Sequence, residues 1–285
     1  MSEYALFGPA GNSLSFAEQG YKNSADIPAY TVRMGLDTFE YQCGRGVAIK
    51  EPSAKKLGEL AKTAGITLSI HAPYYISLSS LEEEKRFGSA RYILESAAAL
   101  KAMGGRRIIL HSGSAGKQPR DTALGLAKES LKYCLDRLDE EGYSDMVLCP
   151  ETMGKIGQLG SLDEVMALCE IDERLIPCID FGHLNARTHG GIKSPDDYRA
   201  ILDTIENRLG YDRLKNFHSH FSKIEYTDGG EKKHLTFSDK VYGPDPEPLM
   251  KLIAERQLTP VIICESDGTQ AEDAKILKEM YYYYL

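Results

Sequence analysis

Several things are missing from this sequence of 285 residues, and each absence excludes something. No stretch approaches the ~18 consecutive apolar residues that a membrane span needs, so no contact with a membrane is expected. The opening Met1-Ser-Glu-Tyr-Ala-Leu-Phe-Gly-Pro has neither a basic start nor a long apolar core, so it does not read as a secretory leader. The six cysteines, Cys43, Cys134, Cys149, Cys169, Cys178 and Cys264, form no CxxC pair. Three of them, Cys149, Cys178 and Cys264, fall inside expected buried strands, where a thiol acts as a small apolar group. A reduced, cytoplasmic protein is the expectation. No Gly-x-Gly-x-x-Gly follows a strand, and Ser112-Gly-Ser-Ala-Gly-Lys117 fails the spacing of a phosphate loop. A basic excess is lacking too: the formal net charge is −8. Alone, that argues against binding nucleic acid. Bound divalent cations would cancel part of it, however, and net charge does not say where charges sit.

What is present is ordinary globular material, 42% hydrophobic and 27% charged, with a repeated local pattern. Ile66-Thr-Leu-Ser-Ile70 is a short buried strand ending on His71. Arg107-Ile-Ile-Leu ends on His111, and Met146-Val-Leu-Cys-Pro on Glu151. Leu175-Ile-Pro-Cys-Ile ends on Asp180, with His183 three residues on in a Gly-rich loop that ends near Ser194. Leu214-Lys-Asn-Phe ends on His218, and Pro260-Val-Ile-Ile-Cys on Glu265. Six apolar runs each hand over a His, Asp or Glu at the same end.

Between them lie helical segments. Ala54, Leu57, Leu60 and Ala61 share one face over residues 51–64. An Ala-rich helix over 82–103 stops at Gly104-Gly105. Another runs over 120–140. Ser161-Leu-Asp-Glu164 is a capping box opening a helix through Cys169, and Pro195 starts a helix to about Leu209. The last two cover 247–255 and 271–283, the tyrosine run at 281–284 packing the final helix. Residues 221–244 read as the longest irregular stretch. With opening strands near Tyr4–Gly11 and Leu36–Tyr41, and a short helix candidate at about Ser13–Tyr21 between them, the chain alternates strand and helix eight times without a linker. That pattern predicts one domain over 1–285, a closed α/β barrel of the (β/α)8 type. Barrel active sites sit at the C-terminal ends of strands, where the ligand-type residues fall.

His71, His111, Glu151, Asp180, His183, His218, His234 and Glu265 together suit zinc, manganese or iron. They are too many for one tetrahedral ion and enough for two or three if carboxylates bridge. Such a cluster suits phosphate-ester hydrolysis. His189 and His220 read instead as loop residues without a ligand role.

His71-Ala-Pro-Tyr-Tyr-Ile-Ser-Leu, Asp180-Phe-Gly-His183 and Ile-Cys-Glu265-Ser resemble the signature segments of the endonuclease IV family, and the likeness runs from about Phe7 to Glu265. The resemblance implies an eight-stranded barrel holding three zinc ions. His71, His111 and Glu151 would hold the first; Glu151 would bridge to a second held by Asp180, His218 and Glu265; His183 and His234 would hold the third. It implies hydrolysis of the phosphodiester 5′ of an abasic site in duplex DNA by a monomer, with Glu265 as base, Tyr74 filling the duplex beside the lesion and Arg45 inserted nearby. Lys117, Lys155, Arg187, Lys193, Lys223, Lys232 and Lys233 lie in loops at the same barrel end, within reach of phosphates. One position departs from the family. An Asp is expected two residues before His234, and Lys232 stands there. Glu231 could replace it only if a bulge interrupts strand alternation. A second reading stays open: a sugar isomerase or epimerase of the xylose-isomerase type, with one metal on Glu151, Asp180, His218 and Glu265. A third is a barrel that binds damaged DNA without cutting it.

Overall fold

The computed structural model describes residues 2–285. Its barrel strands are β1 Leu6–Pro9, β2 Thr38–Gln42, β3 Thr67–His71, β4 Arg107–Leu110, β5 Val147–Pro150, β6 Cys178–Asp180 and β7 His218–Phe221. A hairpin, β8 Lys223–Thr227 and β9 Gly230–Leu235, precedes the last barrel strand, β10 Val261–Cys264. Each barrel strand is three to five residues long, and all pair in parallel, in the orders β1-β10-β7-β6 and β2-β3-β4-β5. Bridges Ala10↔Glu40 and Glu151↔Cys178 join the two halves edge to edge. The result is the closed eight-stranded barrel that the alternation predicted.

The helices form where their end signals lie. Glu51–Ala64 has Pro52 in its first turn and stops on Gly65 at φ 73°; Glu83–Met103 stops on Gly104 at φ 77°. A left-handed residue at that position costs glycine nothing and any other residue a steric penalty. Ser161 and Glu164 close their capping box at the start of Leu162–Cys169. Among the described residues no helix is long and apolar enough to cross a membrane.

Side-chain alternation sorts the strands. Phe7, Phe39, Ile70, Ile108, Leu148 and Ile179 pack into the continuous core between barrel and helices. Ile109, Cys149 and Cys178 form a small separate cluster. Next to Cys178 within the barrel lie Glu40, Ser69 and His218. All six thiols are free and buried; burial pushes those of Cys43, Cys134, Cys149 and Cys264 up to about 12.

Three expectations need correction. The run Leu214–Phe217 is not the seventh strand: Tyr211–Lys215 is a short helix, and β7 begins at His218. Residues 221–244 are not simply irregular, because they hold the antiparallel β8–β9 hairpin. The Gly-rich segment after Asp180 opens as a helix, Phe181–Arg187, capped by the Asp180 carboxylate, which accepts from the His183 amide at 2.6 Å.

Candidate metal centre

The strand ends converge as the spacing implied. His71 closes β3 and Asp180 closes β6, while His111, Glu151 and Glu265 each stand one residue past β4, β5 and β10. Glu151 is the hub. Its Oε2 lies 3.2 Å from His71 Nε2 and 3.1 Å from His111 Nε2. Its Oε1 lies 3.1 Å from His220 Nδ1 and 3.3 Å from His183 Nδ1. Three groups with one ligand atom from each residue within 4.8 Å meet here: His71–His111–Glu151, Glu151–Asp180–His220–Glu265, and His183–His234–Glu265.

His218 is not in this circle. Being two residues from His220 on one strand, it faces the same interior but one layer deeper, and its Nε2 lies 3.0 Å from Glu40 Oε2. His220, read from sequence as a loop residue, is the third residue of β7 and takes the expected place of His218. The four-residue displacement of the strand is the cause.

The β8–β9 hairpin brings the remaining ligand-type residues. Its register shifts between Glu225 and Tyr226: Glu225 pairs with Lys233, but Tyr226 pairs with Glu231, leaving Lys232 as the extra residue of a bulge. The insertion places Glu231 and His234, three apart, on one side. Glu231 Oε2 lies 3.4 Å from His183 Nε2, and Oε1 lies 3.9 Å from His234 Nε2. Lys232 turns outward to Glu225 at 2.6 Å. The hairpin can sit this close because residue 230 (φ 90°) is glycine: a Cβ there would meet Gly154 O at 2.2 Å. The Glu231 amide also donates to Gly154 O at 3.1 Å.

Electrostatics follow from burying so many imidazoles and carboxylates together. Burial works against ionisation of Glu151, yet His220, His111 and His183 hold its carboxyl well below the usual range. Burial likewise opposes a charge on His183, and Asp180 and Glu151 lift it well above an ordinary histidine. His220 is raised well above normal against its own burial, by Cys178, Glu265, Glu40 and Glu151. Burial raises Glu265 despite His220 and His234. His111 falls below normal because its burial outweighs Glu151.

Asp180 Oδ2 is buried without a hydrogen-bond partner, although it lies 3.4 Å from His183 Nδ1. A buried carboxylate oxygen needs a cation or a proton beside it. His183 Nδ1 donates to Thr152 O at 2.9 Å, which leaves Nε2 as its ligand atom. These are the donor types and the orphaned oxygen that fit borderline divalent cations.

The centre opens into a cleft of about 420 Å³ lined also by Tyr74, Met153, Lys155 and Gln158. A larger cavity, about 760 Å³, lies at the opposite barrel end among strand starts such as Thr38, Thr67 and Arg107; it contains no histidine. Chemistry rather than size therefore marks the site. Tyr74 is 59% exposed, and its ring stacks on His111 with centroids 5.4 Å apart. Arg45 is exposed on the adjoining loop, whose Gly44 carbonyl accepts from the Tyr74 amide at 3.1 Å, but it is not among the residues lining the cleft. Two other loop cations are structural. Arg187 donates to the carbonyls of Met153 and Lys155, and Lys223 to those of Phe237 and Asp239.

Barrel and centre together define the class. Residues 28–282 match the model of the xylose isomerase-like TIM barrel family, and the chain belongs to that family. Over 273 residues it is 34% identical to an uncharacterized protein of Methanocaldococcus jannaschii, covering 96% of each chain. It is 26% identical to a protein named probable endonuclease 4 of Mycoplasma pneumoniae, over 92% of this chain and 86% of that one. Among solved structures, endonuclease IV from Thermus thermophilus superposes with TM-score 0.68 at 18% identity, covering 92% and 93% of the two chains. A D-tagatose 3-epimerase-like protein superposes with TM-score 0.69 at 18% identity, covering 87% and 90%. At such identities these structures share the fold.

Proposed function

We propose that this chain is a metal-dependent endonuclease that hydrolyses the phosphodiester 5′ of abasic sites in duplex DNA and leaves a 3′-hydroxyl. The reading takes it as a cytoplasmic monomer with zinc as the ion, manganese or iron being the other candidates. The observation that carries it is the Glu231 bulge. It brings His234 into a third His/carboxylate group, His183–His234–Glu265, beside the two that share Glu151, and sets Glu231 against it, 3.4 Å from His183 and 3.9 Å from His234. A one-metal isomerase needs only the tetrad Glu151–Asp180–His220–Glu265; three groups around one carboxylate suit a phosphate with an attacking and a departing oxygen.

When bound, divalent cations supply charge stabilisation for the phosphoryl group and make water acidic enough to attack. The chain's own residues do the rest. His71, His111 and Glu151 would hold one position; Glu151, Asp180, His220 and Glu265 a second; His183, His234 and Glu265, with Glu231 beside them, a third. Glu265, its carboxyl raised by burial, accepts the proton of the attacking water. Water oxygen bonds to phosphorus as the bond to the 3′ oxygen breaks; the proton taken by Glu265 returns through solvent to that oxygen, which leaves as a 3′-hydroxyl, and the phosphate stays on the 5′ side of the abasic nucleotide. Tyr74 stands at the mouth, where its exposed ring can fill space beside a displaced nucleotide. Lys155 in the cleft wall supplies positive charge toward a phosphate.

Incision of an end-labelled duplex with one synthetic abasic site, against the intact duplex, tests the reading. A single cut 5′ of the lesion, lost on prolonged chelation and restored by zinc, is expected. No cut by protein shown to contain metal would refute it. One bound metal per chain together with turnover of a keto-sugar would establish the epimerase reading, which the same tetrad favours.

A further inference from the structure

Glu40, in the middle of β2, is completely buried and holds none of the proposed cation positions. Its surroundings explain why it is there. Ser69 Oγ donates to Oε2 at 2.9 Å, and Gln42 Nε2 donates to Oε1 at 3.2 Å. His218 Nε2 lies 3.0 Å from Oε2. His220 Nε2 lies 2.9 Å from Oε1, close but off the hydrogen-bonding axis. A carboxylate offers about four lone-pair sites; Ser69, Gln42 and His218 donate to three, and His220 Nε2 is the remaining neighbour. His220 thus has one ring nitrogen toward Glu40, while the other, Nδ1, faces Glu151 and Glu265 at 3.1 and 3.5 Å.

We infer that Glu40 is a positioning residue for the metal centre: it fixes the tautomer of both β7 histidines, so that His220 presents Nδ1 to the cation. The inference rests on the metal-centre reading above. The two nitrogens of an imidazole are interchangeable until one is committed to a hydrogen bond. Glu40 commits Nε2 of His218 by a hydrogen bond and draws the proton of His220 to Nε2 with its second oxygen, 2.9 Å away; it can serve both rings because it has two acceptor oxygens. A glutamine there has one acceptor and one N–H₂ group. It can serve one histidine as acceptor, but must donate to the other, which then carries its proton on Nδ1 and cannot ligate through it. His218 belongs to the same device: occupying Oε2, it keeps Glu40 turned so that Oε1 reaches His220.

The test combines histidine nitrogen NMR with zinc competition against a chromophoric chelator. In zinc-loaded wild-type protein, the His220 ring should show a protonated Nε2 and a metal-bound Nδ1; this arm needs no variant. Glu40→Gln should weaken zinc at one position about 10- to 100-fold and move one β7 histidine to the other tautomer. Glu40→Asp, which keeps two acceptors, should restore the wild-type tautomer. Zinc bound through His220 Nε2, or wild-type affinity with unchanged tautomers in Glu40→Gln, would overturn the role of Glu40 and leave the metal centre standing. Wild-type protein that takes up no zinc would overturn both.

Discussion

Protonating Glu164 should loosen the loop that walls the cleft. The Arg120 guanidinium grips this carboxylate with both edges, Nε to Oε1 and Nη2 to Oε2, each at 2.7 Å. The amides of Gly160 and Ser161 donate to Oε2 at 2.9 Å. Arg120 also donates to the carbonyls of Ile156 and Gln158, at 2.8 Å each, so the carboxylate anchors the whole turn after β5. Burial opposes its charge, but Arg120 and the two amides draw it from 4.5 down to about 2. At about 1.4 kcal/mol per pH unit, that difference is worth about 3 kcal/mol. Arg120 is 38% exposed, and screening brings the figure nearer about 2 kcal/mol. The sign follows from the depression. Stability is fully present above pH 4.5 and is lost as pH falls from there through about 2. Urea unfolding of wild type and Glu164→Gln should differ by about 2 kcal/mol at neutral pH, the glutamine retaining some bonds. The gap should narrow by about 1 kcal/mol on going to about pH 3.5, since only the wild type titrates. A gap independent of pH would refute the ionic account of this clamp.

Three further outcomes follow from the centre. Glu265→Gln should keep the fold and most of the metal while losing turnover by about 10²-fold or more; near wild-type rates in the incision assay would remove Glu265 as base. Glu231→Gln should cost one cation position about tenfold in affinity, read as metal content after dialysis against a weak chelator. Unchanged content would hand that position to Glu265. Lys232→Asp should leave metal content unchanged, because the side chain points to Glu225 rather than inward; a tightened position would mean the bulge does not persist in solution.

The barrel was legible because helices such as Glu51–Ala64 and Glu83–Met103 stop on glycine and most strands are short apolar runs between the helical segments. The strand ends were legible for the same reason: His71, Glu151, Asp180 and Glu265 follow apolar residues directly. Strand β7 was not. Its inner face is two imidazoles, so His218-Ser-His-Phe221 does not look apolar, and the preceding Leu214 and Phe217 drew the reading four residues early. Glu40 escaped because it is not at a strand end; an acid flanked by Phe39 and Tyr41 is still the inward position of a two-residue repeat. The hairpin bulge is a tertiary effect. It depends on Gly230 meeting Gly154 across a gap that no local pattern in residues 221–244 reveals.

The buried thiols turn the molecule into its own recorder of opening. An alkylating reagent needs a thiolate in reach, and burial denies both. Each cysteine therefore reacts only when the element around it comes apart. Cys134 reports on the helix Arg120–Glu140, Cys169 on the end of Leu162–Cys169, Cys149, Cys178 and Cys264 on β5, β6 and β10, and Cys43 on the turn beyond β2. Pulse labelling read by peptide mass would thus rank these regions by their opening free energies. It would show whether the half of the barrel holding Cys178 and Cys264 opens together with the half holding Cys149, or whether the closure at Glu151↔Cys178 parts first.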